Sequence, residues 1–391
     1  MTLEDAVKLT NASRSYILDK SEMPENKFFP FDPQTWHDHT LLWDGPIGFA
    51  NGYGKVSMAF MESLADICDL RILSNNWGES EKYLSDKVRK IAKKPVDKLD
   101  AFHVQLYPVH MFNPRLSERQ LGYSMHETTR IPFKWVQTLN NDCERVLVPS
   151  NYQKDAFLNS GVKRDVFVLP CGLDLRFLPE KPQRKPDGIW RFGIMGGLTA
   201  RKGVDVLVKA FKIAFPKQKD VDLFIKTQPK IGANWLKEAL LDDRIGINNQ
   251  NFTPEELVTA FFDKIDCFVF PTRGEGFGLP PLEAMAMGKP TICTNYSGCV
   301  DYLSDKVALP LNFKEVLAPL SEFDGYPEEL RAPGQMWAEP DLDQLVYYLR
   351  WTYEHQDEAR KLGQKASKYA RVNWNNLKMA NKLLKYLDNK F

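Results

Sequence analysis

Short apolar runs alternate with amphipathic segments along most of this chain. The runs with strand character fall in two series, at residues 40–43, 70–74, 102–107, 121–125, 145–149 and 166–169, and then at 190–195, 221–226, 245–247, 267–270 and 291–294. The segments between them place apolar residues at helical spacing, as in 55–68. Strands that alternate with helices in this way predict an α/β fold with two parallel sheets, and ligands are expected in the cleft between them.

A proline-rich, charged segment at 179–188 separates the two series and is the clearest linker candidate. It predicts a first domain of residues 1–180 and a second of residues 181–371. Residues 372–391 predict a last helix whose apolar stripe can pack either on the first domain or on its own domain. The remaining segments are predicted to be an amphipathic helix at 3–19, an irregular lead-in at 20–38, a helix at 79–94 and an irregular stretch at 310–340.

The composition narrows the class of protein. The chain has 391 residues, and its 52 Lys and Arg nearly balance its 51 Asp and Glu, so no global field favours nucleic acid or a membrane surface. No apolar run is long enough to span a bilayer, and the charged N-terminal stretch lacks the apolar core of a signal peptide. The six cysteines are scattered without a C-x-x-C pair, which predicts reduced, mostly buried thiols and a cytoplasmic protein, with peripheral membrane association left open.

The stretch 271–302 carries most of the candidate chemistry. It follows the apolar run 267–270 and contains a glycine-rich loop, 274–278, before two prolines that suit the start of a helix. A glycine loop between a strand and a helix N-terminus is a ready anion site. Two carboxylates accompany it: Glu275 lies in the loop, and Glu283 is predicted in the first turn of the helix, where it suits the helix dipole or could hold a sugar hydroxyl.

Other loops give weaker signals. Gly52 and Gly54 lie in a glycine-rich turn after the first strand, where a phosphate or sugar site and a plain turn both stay open. His126 follows a strand at the edge where open α/β sheets bind ligands, and its ordinary pKa lies near neutrality. A cluster of basic residues predicts either a solvated helix face or a patch for an anionic acceptor, and its members are Lys87, Arg89, Lys90, Lys93 and Lys94.

Seven residues separate Glu275 from Glu283 in the string G-E-G-F-G-L-P-P-L-E-A-M-A-x-G-K-P. This string resembles the donor-site signature of the family-4 retaining glycosyltransferases. The resemblance covers most of the chain. Its other supports, in chain order, are Gly52-Tyr53-Gly54, Val148-Pro149-Ser150-Asn151-Tyr152, Pro170-Cys171-Gly172-Leu173-Asp174 and Arg201-Lys202-Gly203. It implies a GT-B fold, in which two Rossmann-like domains with parallel sheets face each other across a cleft that holds a nucleotide-sugar.

The resemblance also implies roles for single residues. Glu275 is expected near the sugar hydroxyls, Glu283 on the ribose hydroxyls and His126 on the transferred sugar. Lys202, with Arg201 as a second cation, is expected at the diphosphate, which leaves as an anion and so needs preorganised positive charge and N–H donors. The expected catalytic residues are His126, Glu275 and Lys202. The residues expected to bind the donor are Gly52, Tyr53, Gly54, Arg201, Lys202, Gly276, Phe277, Gly278, Leu279 and Glu283.

One position departs from the family pattern. Family members commonly carry an arginine in a G-R-L string of this loop, and Gly197 stands there in this chain, so Arg201 is a candidate replacement. The string Asp341-Leu342-Asp343 is similar to the D-x-D motif that binds a divalent metal in another glycosyltransferase fold. Its place just after Pro340 predicts acids at a helix start instead. No metal and no cofactor are therefore expected, and the nucleotide-sugar acts as a co-substrate.

The leading hypothesis is a metal-independent retaining glycosyltransferase. The resemblance implies front-face attack, in which the leaving phosphate helps to deprotonate the acceptor. A nucleotide-sugar epimerase, a phosphorylase and a non-catalytic binding module are the alternatives on the same fold. The acceptor classes that stay open are a glycan, a lipid-linked group and a modified nucleic acid.

Overall fold

The computed structural model describes residues 40–48, 52–73, 78–96, 101–113, 117–180, 187–227, 241–319 and 331–388. All of them belong to one unit, Trp36–Phe391. The segments predicted at 3–19 and 20–38 lie outside the described residues, and so do residues 181–186 of the predicted linker and 320–330 of the stretch predicted to be irregular.

The first series of strands forms a six-stranded sheet in which every neighbouring pair is parallel. Its strands are β1 (Thr40–Asp44), β2 (Asp69–Ile72), β3 (Phe102–Leu106), β4 (Gln120–Tyr123), β5 (Arg145–Val148) and β6 (Asp165–Val168). Their order across the sheet is β2-β1-β3-β4-β5-β6. All five residues of β1 are buried, which is the pattern of a parallel strand covered on both faces.

The second series forms another six-stranded parallel sheet. Its strands are β7 (Trp190–Met195), β8 (Val221–Lys226), β9 (Ile245–Asn248), β10 (Cys267–Phe270), β11 (Thr291–Thr294) and β12 (Leu309–Leu311), in the order β12-β11-β10-β7-β8-β9. The predicted α/β architecture with two parallel sheets is confirmed.

The helices of the described residues alternate with these strands. In the first half they are α1 (Gly52–Leu64), α2 (Asp86–Ala92), α3 (Phe133–Asp142) and α4 (Asn151–Asn159), and in the second half α5 (Val204–Ala214), α6 (Pro254–Ala260), α7 (Leu279–Ala286), α8 (Leu342–Glu354), α9 (Gln356–Asn373) and α10 (Asn376–Leu387). Side-chain caps fix several starts. Asp341 accepts a hydrogen bond from the backbone N–H of Gln344 (2.9 Å), so the D-x-D string does begin a helix.

The last helix, α10, lies against the first half of the chain. The side-chain amide of Asn376 donates to the carbonyl of Ala59 in α1 and to Ser63 Oγ (3.0 Å). The Tyr386 hydroxyl donates to the carbonyl of Val168 in β6 (2.8 Å). These contacts tie the C-terminal helix to the first sheet, while the domain limits 1–180, 181–371 and 372–391 stay a prediction.

Two predicted elements are wrong in detail. The helix predicted at 79–94 is broken into a 3-10 turn, Gly78–Tyr83, and α2, because Ser85 caps the second segment by accepting from Val88 N (3.3 Å). Part of the stretch predicted to be irregular, 310–340, is a β-hairpin of antiparallel strands β13 (Phe313–Leu317) and β14 (Met336–Pro340). The residues of β13 are mostly exposed, so this strand lacks the apolar run that marks the others.

The first helix also differs from its prediction. It was expected over 55–68, after a glycine turn, but α1 spans Gly52–Leu64 and takes both glycines into its first turn. A Cβ at Gly54 would lie 2.3 Å from the carbonyl oxygen of Gly48. The close approach of the preceding loop, and not a left-handed turn, is therefore what requires glycine at this position.

Candidate functional site

A cavity of about 560 Å³ lies between the two halves of the chain. Its first wall includes Gly52 and Lys55 from the start of α1, and its second wall comes from the carboxyl ends of β7 and β8 and the first turns of α7. Ligands of open parallel sheets bind at this edge. The second wall contains Gly196, Gly197, Lys202, Lys226, Thr227, Leu279 and Glu283.

Loops of the two halves are in tight contact beside this cavity. A Cβ at Gly274 would lie 2.2 Å from the carbonyl oxygen of Glu127, and one at Gly276 would lie 2.7 Å from Met125 Cβ. The Ser150 hydroxyl donates to the carbonyl of Gly276 (3.0 Å). The glycines of the 274–278 loop thus allow backbone-to-backbone packing between the halves.

Substitution of Gly274 by alanine should force these loops apart. The backbone oxygen of Glu127 cannot rotate away from the new methyl group as a flexible side chain could, so we expect a loss of about 1–3 kcal/mol in the free energy of unfolding. Urea titration of the purified variant measures this loss. Gly246→Ala is the matched control, because its Cβ would meet only Phe224 at 3.8 Å. Equal stability of the two variants would contradict the packing described above.

Glu275 lies at this contact between the halves, and three donors converge on one of its oxygens. Oε1 accepts from Lys202 Nζ (2.6 Å), Arg201 Nη1 (2.9 Å) and Thr272 Oγ1 (3.0 Å). The other carboxylate oxygen, Oε2, has no hydrogen-bond partner among the described residues. Burial by itself raises the pKa of Glu275, but the charges of Lys202 and Arg201 outweigh it and hold the pKa below its ordinary value of 4.5. The carboxylate therefore stays ionised at neutral pH.

Lys202 connects this contact to the cavity. Its ammonium bonds to Glu275 and lies 5.2 Å from the ring centre of Phe270, and its side chain also lines the cavity. Burial lowers the pKa of Lys202, and the negative charge of Glu275 opposes that effect. An ammonium has three N–H donors, and among the described residues only Glu275 engages one of them. The others are available to a ligand in the cavity.

Arg201 faces the loop contact and does not contribute to the cavity lining formed by described residues. Its guanidinium donates to the carbonyl of Gly274 (2.7 Å) and to Glu275, and it lies 3.5 Å from Glu127 Oε1. These contacts join the second half to the loop that follows β4 in the first half. Arg201 therefore pairs with the carboxylates of Glu275 and Glu127.

His126 is buried on the first half's side of the same contact. Its backbone N–H donates to Gln153 Oε1 (2.6 Å), its Nδ1 lies 3.8 Å from Glu127 Oε2, and its ring packs edge-on against Trp135. Burial lowers the pKa of His126, although Glu127 acts in the opposite direction. The imidazole is therefore neutral at neutral pH.

Glu283 was expected in the first turn of α7, but it lies one residue beyond that turn and bonds to the opposite wall. Lys55 Nζ donates to both of its oxygens, at 2.9 and 3.3 Å, across the cavity. The side chains of Lys55 and Glu283 are 23% and 10% exposed. This ion pair joins the start of α1 to α7.

Residues 190–319 match the sequence model of the glycosyl transferases group 1 family. The chain carries a group 1 glycosyl transferase domain. This match confirms the predicted glycosyltransferase at the level of the group 1 domain. The domain contains β7 to β12, and with them Lys202, Glu275 and Glu283.

The chain is also similar to proteins whose activity is known. A GDP-mannose-dependent alpha-mannosyltransferase of Corynebacterium glutamicum is 30% identical over 214 residues, which are 51% of this chain and 49% of that protein. A mannosylfructose-phosphate synthase of Agrobacterium fabrum is 27% identical over 177 residues, which are 40% of this chain and 38% of that protein. The chain thus spans about half or less of the length of these curated relatives.

Solved structures show the fold of both halves. The chain superposes on HepE of Anabaena, crystallised with UDP and glucose, with a TM-score of 0.63 and 13% identity, covering 90% of this chain and all of that one. Sucrose-phosphate synthase of Thermosynechococcus elongatus gives a TM-score of 0.62 at 14% identity, covering 90% and 98%. The predicted GT-B fold is therefore confirmed.

The structure divides the residues predicted for the site into two groups. Those that line the cavity are Gly52, Lys202, Leu279 and Glu283. Those that lie at the contact between the halves or behind it are Tyr53, Gly54, His126, Arg201, Glu275, Gly276, Phe277 and Gly278. Lys202 joins the two groups through its bond to Glu275. The roles of all of them in binding and catalysis stay predictions.

Members of the second group have structural partners that the sequence does not reveal. The Tyr53 hydroxyl donates to the carbonyl of Met125 (3.2 Å) and so supports the His126 loop. Phe277 is buried and packs edge-on against Tyr302, whose hydroxyl donates to the carbonyl of Gly278 (2.6 Å). These residues shape the glycine loop from behind.

Sequence reasoning missed several polar residues of the site, among them Lys55, Lys226 and Thr272. Lys55 offers one signal, since a lysine in the first turn of a helix opposes the helix dipole and needs a nearby anion. Lys226 is the last residue of β8, and it is buried because it belongs to this strand. Thr272 has no marker of its own.

No three His, Cys, Asp or Glu side chains come close enough to hold a metal ion in the part of the chain that the structure describes. None of the helices within those described ranges is both long and apolar enough to cross a bilayer. None of the six cysteines is part of a disulfide, and all six are buried.

Proposed function

We propose that this chain transfers a sugar from a nucleotide-sugar donor to an acceptor, with retention of the anomeric configuration and without a bound metal. The observation that carries the proposal is the arrangement around Lys202, which lines the cavity between the halves and whose ammonium is bonded to the buried Glu275. A fixed cation in a cleft suits the phosphate of a sugar phosphate. The neighbouring carboxylate suits the sugar, because it can accept hydrogen bonds from hydroxyls.

The charge of the cavity supports an anionic donor. Lys202, Lys226 and Lys55 line it, and the first turn of α7 faces it through Leu279. Cations and a helix N-terminus are the groups that proteins use for phosphates. The relatives named above include a GDP-mannose-dependent enzyme and a structure that contains UDP. They support a nucleoside diphosphate as the leaving group but do not identify its base.

Glu275 is best suited to holding sugar hydroxyls. Three donors fix Oε1, which orients the carboxylate and leaves Oε2 to accept from a ligand. Its low pKa makes it a poor proton donor, because a general acid must be protonated near the working pH. In the first half, His126 has the same proposed role of binding the sugar, through its neutral imidazole at the contact between the loops.

Lys202 supplies the charge that a metal would otherwise provide at the departing phosphate. Preorganised cations stabilise developing negative charge most strongly where water is excluded, and the Lys202 side chain is only 15% exposed. In a retaining reaction of this kind the leaving phosphate takes the acceptor proton, and the cation holds that phosphate in place. The acceptor approaches from the first half and belongs to one of three classes, a glycan, a lipid-linked group or a modified nucleic acid. Six cysteines without a disulfide favour a reducing compartment such as the cytoplasm.

Turnover of a panel of nucleotide-sugars tests this proposal. The purified protein is incubated with UDP-, GDP- and ADP-activated hexoses in EDTA, and release of the nucleoside diphosphate is followed. We expect one donor class to be consumed, with NMR of the product showing the donor's own anomeric configuration. Glu275→Ala and Lys202→Ala should both stop the release. Donor recovered with an inverted sugar centre would indicate an epimerase, turnover that requires inorganic phosphate would indicate a phosphorylase, and a need for added metal would contradict the role of Lys202.

A further inference from the structure

Positive charge on the walls of the cavity exceeds the negative charge there. Among the described residues, four lysines, Lys55, Lys82, Lys202 and Lys226, line it together with two acids, Asp174 and Glu283. Asp174 is already engaged by Arg176, which donates to both of its oxygens at 2.9 and 2.6 Å. Glu283 is thus the one lining acid whose ion pair is formed inside the cavity by a lining lysine.

Lys55 holds Glu283 from an unfavourable position. It lies in the first turn of α1, where the helix dipole favours anions and disfavours cations. It belongs to the first half of the chain, while Glu283 belongs to the glycosyl transferase domain. A lysine in this place is stabilised only if an anion remains beside it, and Glu283 serves as that anion in the structure.

Lys226 is another lysine of the cavity wall. It is 8% exposed at the end of β8, and its ammonium donates to the carbonyl of Thr227 (2.7 Å) and lies 5.0 Å from the ring centre of Phe252. No carboxylate lies within ion-pair distance of it among the described residues. Burial and the charge of Lys55 both lower the pKa of Lys226. Of these two lysines of the cavity wall, Lys55 has a carboxylate partner and Lys226 has none among the described residues.

We propose that Lys55 is a phosphate ligand that the first half contributes to the donor, and that it exchanges Glu283 for the diphosphate when the donor binds. The exchange leaves Glu283 to the donor's hydroxyls and brings the missing negative charge to Lys55 and Lys226. The diphosphate then bridges the two halves of the chain. This inference rests on the proposed function and assigns to Lys55 a role that neither the family signature nor the glycine turn implies.

The test compares nucleoside diphosphates with the matching nucleosides. UDP, GDP and ADP are titrated calorimetrically into the full-length protein, and the nucleoside of the base that binds is measured by competition. Lys55→Gln removes the charge but keeps an N–H donor for Glu283, so the carboxylate is not left without a partner. Lys209→Met is the control for loss of one positive charge, because Lys209 is an exposed residue of α5.

Lys55→Gln should weaken binding of the diphosphate at least tenfold, an effect on the order of one lost hydrogen bond between charged groups, and should leave the nucleoside's affinity unchanged or higher. Lys209→Met should change neither. The ratio of the two affinities, measured on one preparation, does not depend on the fraction of folded protein. Equal weakening of both ligands would make Lys55 a structural link only, and unchanged or tighter diphosphate binding would make it a competitor for Glu283; each result overturns the inference. If the wild-type protein binds none of the three diphosphates, the proposed function itself fails.

Discussion

Replacement of Lys202 by methionine should lower the rate of sugar transfer by about 10²–10³-fold, the usual effect of removing one preorganised charge from a developing anion. Lys202 is the cation that both lines the cavity and bonds to Glu275, and methionine keeps most of its length without the charge. Because the phosphate gains charge as the bond breaks, the loss should fall mainly on kcat and less on KM.

The control for this change is Lys209→Met, which removes an exposed lysine of the same domain and should retain the wild-type rate. Steady-state kinetics with the preferred donor separate the two parameters. A Lys202→Met variant that loses affinity for the donor but keeps kcat would assign the residue to binding alone and would contradict its role at the transition state.

Replacement of Glu275 by glutamine should abolish measurable transfer and also destabilise the fold. The amide cannot compensate the charges of Lys202 and Arg201, whose side chains are 15% and 21% exposed, and removal of one partner of a buried ion pair costs about 3–5 kcal/mol. Thermal or urea unfolding measures this loss, and Glu256→Gln, at an exposed position that caps α6, provides a comparison in which only a local capping bond is lost.

The stability difference between the wild-type protein and Glu275→Gln should depend on pH in one direction. The pKa of Glu275 is lowered by folding, so its contribution is fully present above the ordinary value of 4.5 and is lost as the pH falls through the lower pKa of the folded state. Unfolding curves measured from neutral pH downward should therefore converge below that value. A difference that grows in acid would mean that the carboxyl is protonated in the folded protein.

The sheets could be predicted because their signal is local. The run Cys267–Phe270 is apolar without interruption, and a buried parallel strand requires just that. The hairpin strand Phe313–Leu317 could not be predicted in the same way, since its exposed side chains leave no apolar run. Gly54 lies in a glycine-rich turn by the sequence prediction, but in the structure a contact with Gly48 and not a turn requires glycine there.

The site was predictable where a motif keeps its residues close in sequence. Glu275 and Glu283 belong to one string, so both can be named as candidates from the sequence, but their environments come from elsewhere in the chain. Lys55 reaches Glu283 across 228 positions, and no periodicity or spacing reports such a contact. The sequence also places both glutamates on a ligand, while the structure separates them: Glu275 lies behind Lys202 at the loop contact, and Glu283 lines the cavity.

The central claim, that the cavity between the halves holds a nucleotide-sugar donor, is tested most directly by equilibrium titration of the wild-type protein with UDP, GDP and ADP in the presence of EDTA. We predict that one of the three binds with a dissociation constant below the millimolar range, and that the corresponding nucleotide-sugar competes for the same site. The absence of binding by all three at millimolar concentration would contradict the account.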